Sequence, residues 1–138
     1  MLHSLQMPSR RMKADIDHAV VAGNRVWLLD SKCWVPGFYW SIGARQMKGF
    51  HEAPHAGRST MAIATGAFQG YLGAGAIVEA PIIVVWSSSS TKPLTLWAWK
   101  PVAGKGVTGE RFTATVGRLL QPTPADAAIV QALRRFVI

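Results

Sequence analysis

The sequence predicts a single α/β domain over residues 1–138, with a mixed β-sheet flanked by helices. Three observations lead there. Short apolar runs and period-two alternation recur along the chain, two stretches carry a helical repeat, and the two kinds of segment follow one another as β-β-β-α-β-β-β-α. A length of 138 residues suits one core, and a hydrophobic content of 49% is far from that of a disordered chain. No internal repeat and no domain boundary is visible.

Two apolar runs, Ala19–Ala22 and Val26–Leu29, flank Gly23-Asn24-Arg25. Gly and Asn tolerate positive φ, so this reads as two antiparallel strands joined by a tight turn. Residues 9–15, SRRMKAD, form a basic polar connection ahead of them. Pro36-Gly37 marks a type II turn between aromatic residues, and a further hairpin or extended strand is expected over 34–49. Residues 50–57 read as loop. Ser59 is the expected N-cap of a helix over 60–72, with Met61, Ala64, Phe68 and Leu72 near one face. Ile82–Trp86 is a continuous apolar run suited to a strand buried on both faces. Leu94–Lys100 and Arg111–Val116 alternate and are read as strands, with a Gly-rich loop over 101–109 between them. Thr123 followed by Pro124 predicts the start of a final helix, whose apolar face holds Ile129, Val130, Leu133 and Val137.

Fifteen Lys and Arg against seven Asp and Glu give a net charge of +8, which favours a polyanionic partner through phosphate contacts. Cys33 is the sole cysteine, so an intrachain disulfide is excluded and a reducing, cytoplasmic setting is expected. No apolar signal segment opens the sequence. Residues 62–86 are long and apolar enough to imitate a membrane span, but Gln69, Glu79, Pro81 and four glycines argue for a buried helix followed by a core strand, with no membrane partner. His51-Glu52-Ala53-Pro54-His55 spells the zinc-protease string H-E-x-x-H. That string needs a helix to bring its histidines together, and Pro54 disfavours one there. Trp97 and Trp99 are read as packing residues rather than base-stacking ones.

The chemistry concentrates in residues 14–32. Asp17 lies near the start of the first strand of the hairpin, and Asp30 and Lys32 lie at the end of the second. Alternation puts Asp30 and Lys32 on one face, and antiparallel pairing brings Asp17 to the same end. Two carboxylates and an ammonium gathered in this way suit a hard divalent cation and an activated water beside a phosphate.

The string Ile16-Asp17-His18-Ala19-Val20-Val21, then Arg25-Val26-Trp27-Leu28-Leu29-Asp30-Ser31-Lys32, resembles the nuclease-related domain, a branch of the PD-(D/E)xK nuclease superfamily. Residues 2–8, LHSLQMP, are similar to that family's preceding strand, and the likeness covers about the first 35 residues. The resemblance implies a restriction-endonuclease-like fold and hydrolysis of phosphodiester bonds, with DNA ahead of RNA as substrate. It further implies Mg²⁺ or Mn²⁺ on Asp17, Asp30 and the Ser31 carbonyl, with Lys32 on the attacking water. Arg10, Arg11, Lys13 and His18 are the expected nucleic-acid contacts, His18 through support of the site or packing. A catalytically inactive nuclease-like fold that binds nucleic acid or serves as an assembly subunit is the alternative. The family carries a helix with a Glu before its first strand, whereas this sequence opens at Met1 on that strand, with no acidic residue before Asp15. Glu52 or Glu79, a partner chain, or an upstream start could complete the acidic cluster. The apolar sheet face the helix would cover is then expected bare, which favours a homo-oligomer or a covering partner.

Overall fold

The turn at Gly23-Asn24 sets the register of the main sheet. Gly23 has φ 57° and Asn24 stays in the ordinary region, the pattern of a II′ turn, which needs a left-handed residue only at its first position. It joins β2 (Asp15–Ala22) to β3 (Arg25–Trp34), and these pair antiparallel from Ala22↔Arg25 up to His18↔Leu29. The computed structural model describes residues 1–119 and 123–138 and is mixed α/β, with two mixed sheets and three helices.

In the main sheet β1 (Leu2–Gln6) pairs antiparallel with β2. On the other side of β3, β8 (Ile82–Ser87) runs parallel to it and β10 (Lys105–Thr108) runs parallel to β8. The short β7 (Ile77–Val78) pairs parallel with the start of β3. A second sheet has the order β6 (His51–Glu52), β5 (Arg45–Lys48), β4 (Gly37–Ile42), β9 (Leu94–Leu96). The helices are α1 (Thr60–Leu72), α2 (Gly109–Leu119) and α3 (Ala127–Arg134).

Alternation along β3 divides the core. Val26 and Leu28 face a cluster built with Met61, Ala64 and Phe68 of α1, Ile129 and Leu133 of α3, and Tyr39 of the second sheet. Trp27 and Leu29 face the opposite cluster with Val20, Ile82, Val84 and Val107, closed by Phe112 and Val116 of α2. Both faces of the main sheet are therefore covered. The face expected to be bare carries this second buried cluster, to which α2 contributes Phe112 and Val116.

Four sequence expectations need correction. Arg111–Val116 is part of α2, not a strand: Phe112 and Val116 are four apart, a spacing that fits one face of a helix as well as one face of a strand. The strand read as Leu94–Lys100 ends at Leu96, and Ala98 turns the chain with φ 49°. The expected loop over 101–109 contains β10, whose Gly106 is needed because the Trp99 ring lies where a Cβ would stand. Thr123 does not cap the last helix. Asp126 does, its Oδ1 accepting from the N–H groups of Ala128 (2.8 Å) and Ile129 (3.2 Å).

Candidate functional site

β2 and β3 part company at one step. Their register pairs stop at His18↔Leu29, while β3 continues along β8 to Trp34↔Ser87. On the far side of β2, the ladder with β1 skips the Ser4–Asp17 pair, and Ser4 has φ 52°. Leu2 and Leu5 both reach the α1 cluster, as do Ile16 and Ala19 across from them. An odd spacing puts side chains on opposite faces of a regular strand, so both strands change face at this step. Asp17 sits on it. Its Oδ2 accepts a hydrogen bond from the Ser31 backbone N–H at 2.6 Å, in the place where the β2 backbone would have continued the ladder.

Asp30, one residue before, is buried, and its Oδ2 meets Lys32 Nζ at 2.6 Å. The Lys32 side chain keeps 42% of its surface exposed, against 10% for Asp30, so the ammonium stands between the buried carboxylate and solvent. Burial pushes the Asp30 carboxyl above its ordinary value of 3.8. Lys32 opposes the shift, by hydrogen bond and charge, and the neighbouring Asp17 adds to it. Residues of an extended strand direct N–H and C=O to the same neighbour, so the Ser31 carbonyl faces the splayed β2 side along with the N–H that Asp17 receives. The expected trio of Asp17, Asp30 and Lys32 thus meets at one end of the hairpin.

The other expected residues are placed differently. His18 pairs across from Leu29 and shares its face, opposite to Asp30, and its Nδ1 lies 2.7 Å from Nδ1 of His3. Arg10, Arg11 and Lys13 are exposed on the β1–β2 connection, which Met7 N–H closes onto the Ala14 carbonyl at 2.9 Å, at the same end as Asp15. Glu79 pairs with Arg25 (2.5 Å) at the far end of β3, about 16 Å along the strand from Asp30. Glu52 pairs with Arg45 in the second sheet. Neither glutamate completes the cluster. His51 and His55 of the H-E-x-x-H string fall on a strand and a 3-10 turn, not on one helix. Among the described residues, no group of three or more His, Cys, Asp and Glu is set to hold a metal ion. No helix among them is long and apolar enough to cross a membrane.

Beside Asp30 and Lys32 a cleft of about 80 Å³ opens, walled by Trp34, His55, Arg58 and Trp99. Trp34 packs edge-to-face on both His55 (5.2 Å) and Trp99 (5.3 Å). Sequence reasoning passed over this wall. Trp34 follows Lys32 by two residues on the same strand, but His55, Arg58 and Trp99 lie far from residues 14–32 in the chain, and of the two tryptophans read as packing residues Trp99 is buried whereas Trp97 is exposed and stacked on Phe38. Asp15 also lines the cleft.

No family model matches this chain, and no curated protein and no solved structure matches it.

Proposed function

We propose that this chain is a metal-dependent nuclease of the PD-(D/E)xK kind, with a restriction-endonuclease-like main sheet, that hydrolyses phosphodiester bonds in nucleic acid, DNA ahead of RNA. One observation carries the reading: Asp17 and Asp30 converge on either side of Ser31, with Lys32 on Asp30, where β2 splays from β3. The donors are hard oxygens, which suit Mg²⁺ or Mn²⁺. Mg²⁺ commonly takes one or two carboxylates and keeps waters elsewhere, so two aspartates and a carbonyl are a sufficient protein share. When bound, the ion would neutralise phosphate charge and lower the pKa of a water.

The chain's own residues then divide the work. Asp30, disfavoured as an anion by burial, needs a cation beside it, and in the metal-free protein Lys32 fills that place. Lys32 moves off Asp30 to orient the attacking water and to face the charge that builds on the non-bridging phosphate oxygens. Asp17 holds Ser31 in position through its 2.6 Å bond, which leaves its second oxygen for the ion. Arg10, Arg11 and Lys13 supply exposed positive charge at the same end of the sheet for the flanking backbone.

A second reading, a nuclease-like fold that binds nucleic acid without cutting it, is favoured by the closed Asp30–Lys32 pair and by the want of a third acidic ligand among the described residues. The test is plasmid nicking in Mg²⁺ or Mn²⁺ by the parent protein, Asp30→Asn and Lys32→Ala, with DNA binding measured in chelator. Cleavage by the parent that both variants lose while retaining binding supports the nuclease. Binding by the parent without metal-dependent cleavage establishes the second reading.

A further inference from the structure

Two of the four histidines meet on the side of the main sheet away from Asp30. His3 of β1 and His18 of β2 are direct cross-strand partners, and the pair before them, Leu2 and Ala19, is turned to the α1 cluster. Alternation therefore sends both imidazoles to the opposite face. Their Nδ1 atoms stand 2.7 Å apart, with the rings perpendicular and the centroids 4.8 Å apart. His3 is exposed and His18 half-buried, so the pair is open to solvent. The backbone beneath it is fixed. β1 has β2 on one edge, and on the other its Ser4 carbonyl accepts from Ile138 N–H (2.9 Å) and its Gln6 N–H donates to the Phe136 carbonyl (2.8 Å). In the free protein one Nδ1–H donates to the other Nδ1, which leaves Nε2 of each ring able to carry a proton.

Two imidazole nitrogens brought together on a fixed strand pair make a chelate, and their spacing selects the ion. At an imidazole–metal distance of about 2.0 Å, two nitrogens at a right angle stand about 2.8 Å apart, and two at the tetrahedral angle about 3.3 Å apart. The separation of 2.7 Å matches the right angle. We propose that His3 and His18 form a binding site for one Cu²⁺ ion in tetragonal coordination, with water completing the shell. Imidazole suits Cu²⁺, which heads the affinity order of the divalent first-row ions, and the right angle disfavours tetrahedral Zn²⁺. When the ion enters, the ring protonated at Nδ1 shifts that proton to Nε2. Each Nδ1 then gives a lone pair to copper, and two Cu–N bonds replace one hydrogen bond and two copper-bound waters. The ion keeps its charge throughout. Mg²⁺ and Mn²⁺ prefer oxygen ligands, so this pair and the carboxylates of Asp17 and Asp30 differ in the ions they take, and the copper site does not depend on the nuclease reading. A bound ion ties β1 to β2 across fifteen positions of the chain and stabilises the fold, since the unfolded chain does not hold the two rings together.

The test is a Cu²⁺ titration of the full chain, with Cys33→Ser in every sample because an exposed thiol is oxidised by copper. Pulsed EPR counts the imidazoles on the ion. Two are expected on the first equivalent of Cu²⁺, with binding weakened more than about tenfold in both His3→Ala and His18→Ala. The melting temperature should rise with Cu²⁺ in the chain that keeps both histidines and stay level in either variant. His51→Ala and His55→Ala should bind copper as before, and excess Mg²⁺ should leave the spectrum unchanged. Melting without metal shows that each variant folds, and His18→Gln takes the place of His18→Ala if the half-buried position does not tolerate alanine. A single imidazole on the first equivalent, or binding that survives loss of His18, overturns the proposal. So does a copper signal that excess Mg²⁺ displaces, which would put the ion on Asp17 and Asp30 instead.

Discussion

The two halves of β3 differ more than any two strands of the sheet. From Val26 to Leu29 every side chain is buried, with β2 on one side and the core above and below. From Asp30 to Trp34 burial alternates and β2 has left, while β8 continues alongside. The first half is held by partners on both edges and both faces. The second is held along one edge only, and the space given up on the other admits the Asp17 carboxylate. A strand anchored this firmly at one end can keep charged groups in fixed relation at the other, a rigid support for a site.

The largest effect should come from weakening the anchored half. Leu28→Ala removes a fully buried side chain and should lower stability by about 2–5 kcal/mol in chemical denaturation, whereas Ser31→Ala, three residues on and exposed, should change it by less than about 0.5 kcal/mol. Equal costs would erase the contrast between the halves. Next, Lys32→Ala should reduce metal-dependent cleavage about a hundredfold, and in chelator it should also lower the melting temperature, since it leaves the buried Asp30 carboxyl without its cation. A smaller effect is expected at the junction. Asp17→Ala removes the acceptor of the Ser31 N–H, and should cost about 1 kcal/mol and speed hydrogen exchange at that amide. An unchanged Ser31 amide would mean the splayed end is held by something else.

The smallest effect sharpens the comparison through pH. Burial raises the folded-state carboxyl of Asp30 above 3.8, so its protonated form is the better accommodated one. Its contribution to stability is full below about pH 3.8 and is lost as pH rises through the higher folded value. In chelator, Asp30→Asn should therefore melt with the parent at acid pH and slightly above it at neutral pH, while losing cleavage. A variant less stable than the parent at neutral pH would show that the Lys32 pair outweighs burial.

What could be read in advance follows from how local each signal is. The Gly23-Asn24 turn and its flanking runs sit within a few residues of one another, so the hairpin, and with it the meeting of Asp17, Asp30 and Lys32, was legible. The α1 boundaries were legible for the same reason. The strand of Lys105–Thr108 was not, because Gly106 looks like a loop residue until the Trp99 ring is seen against it. The helix over Arg111–Val116 was misread because a six-residue window satisfies both periods. The wall of Trp34, His55, Arg58 and Trp99 depends on contacts between distant segments, and no spacing in the chain encodes it.

The central claim is that Asp17 and Asp30 share one cation at the splayed end of β3. Anomalous diffraction from crystals soaked in Mn²⁺ tests it directly. The account predicts one peak within coordination distance of both carboxylates, with Lys32 turned away from Asp30. Mn²⁺ bound elsewhere, or a site in which Lys32 stays on Asp30 at saturating Mn²⁺, would contradict it.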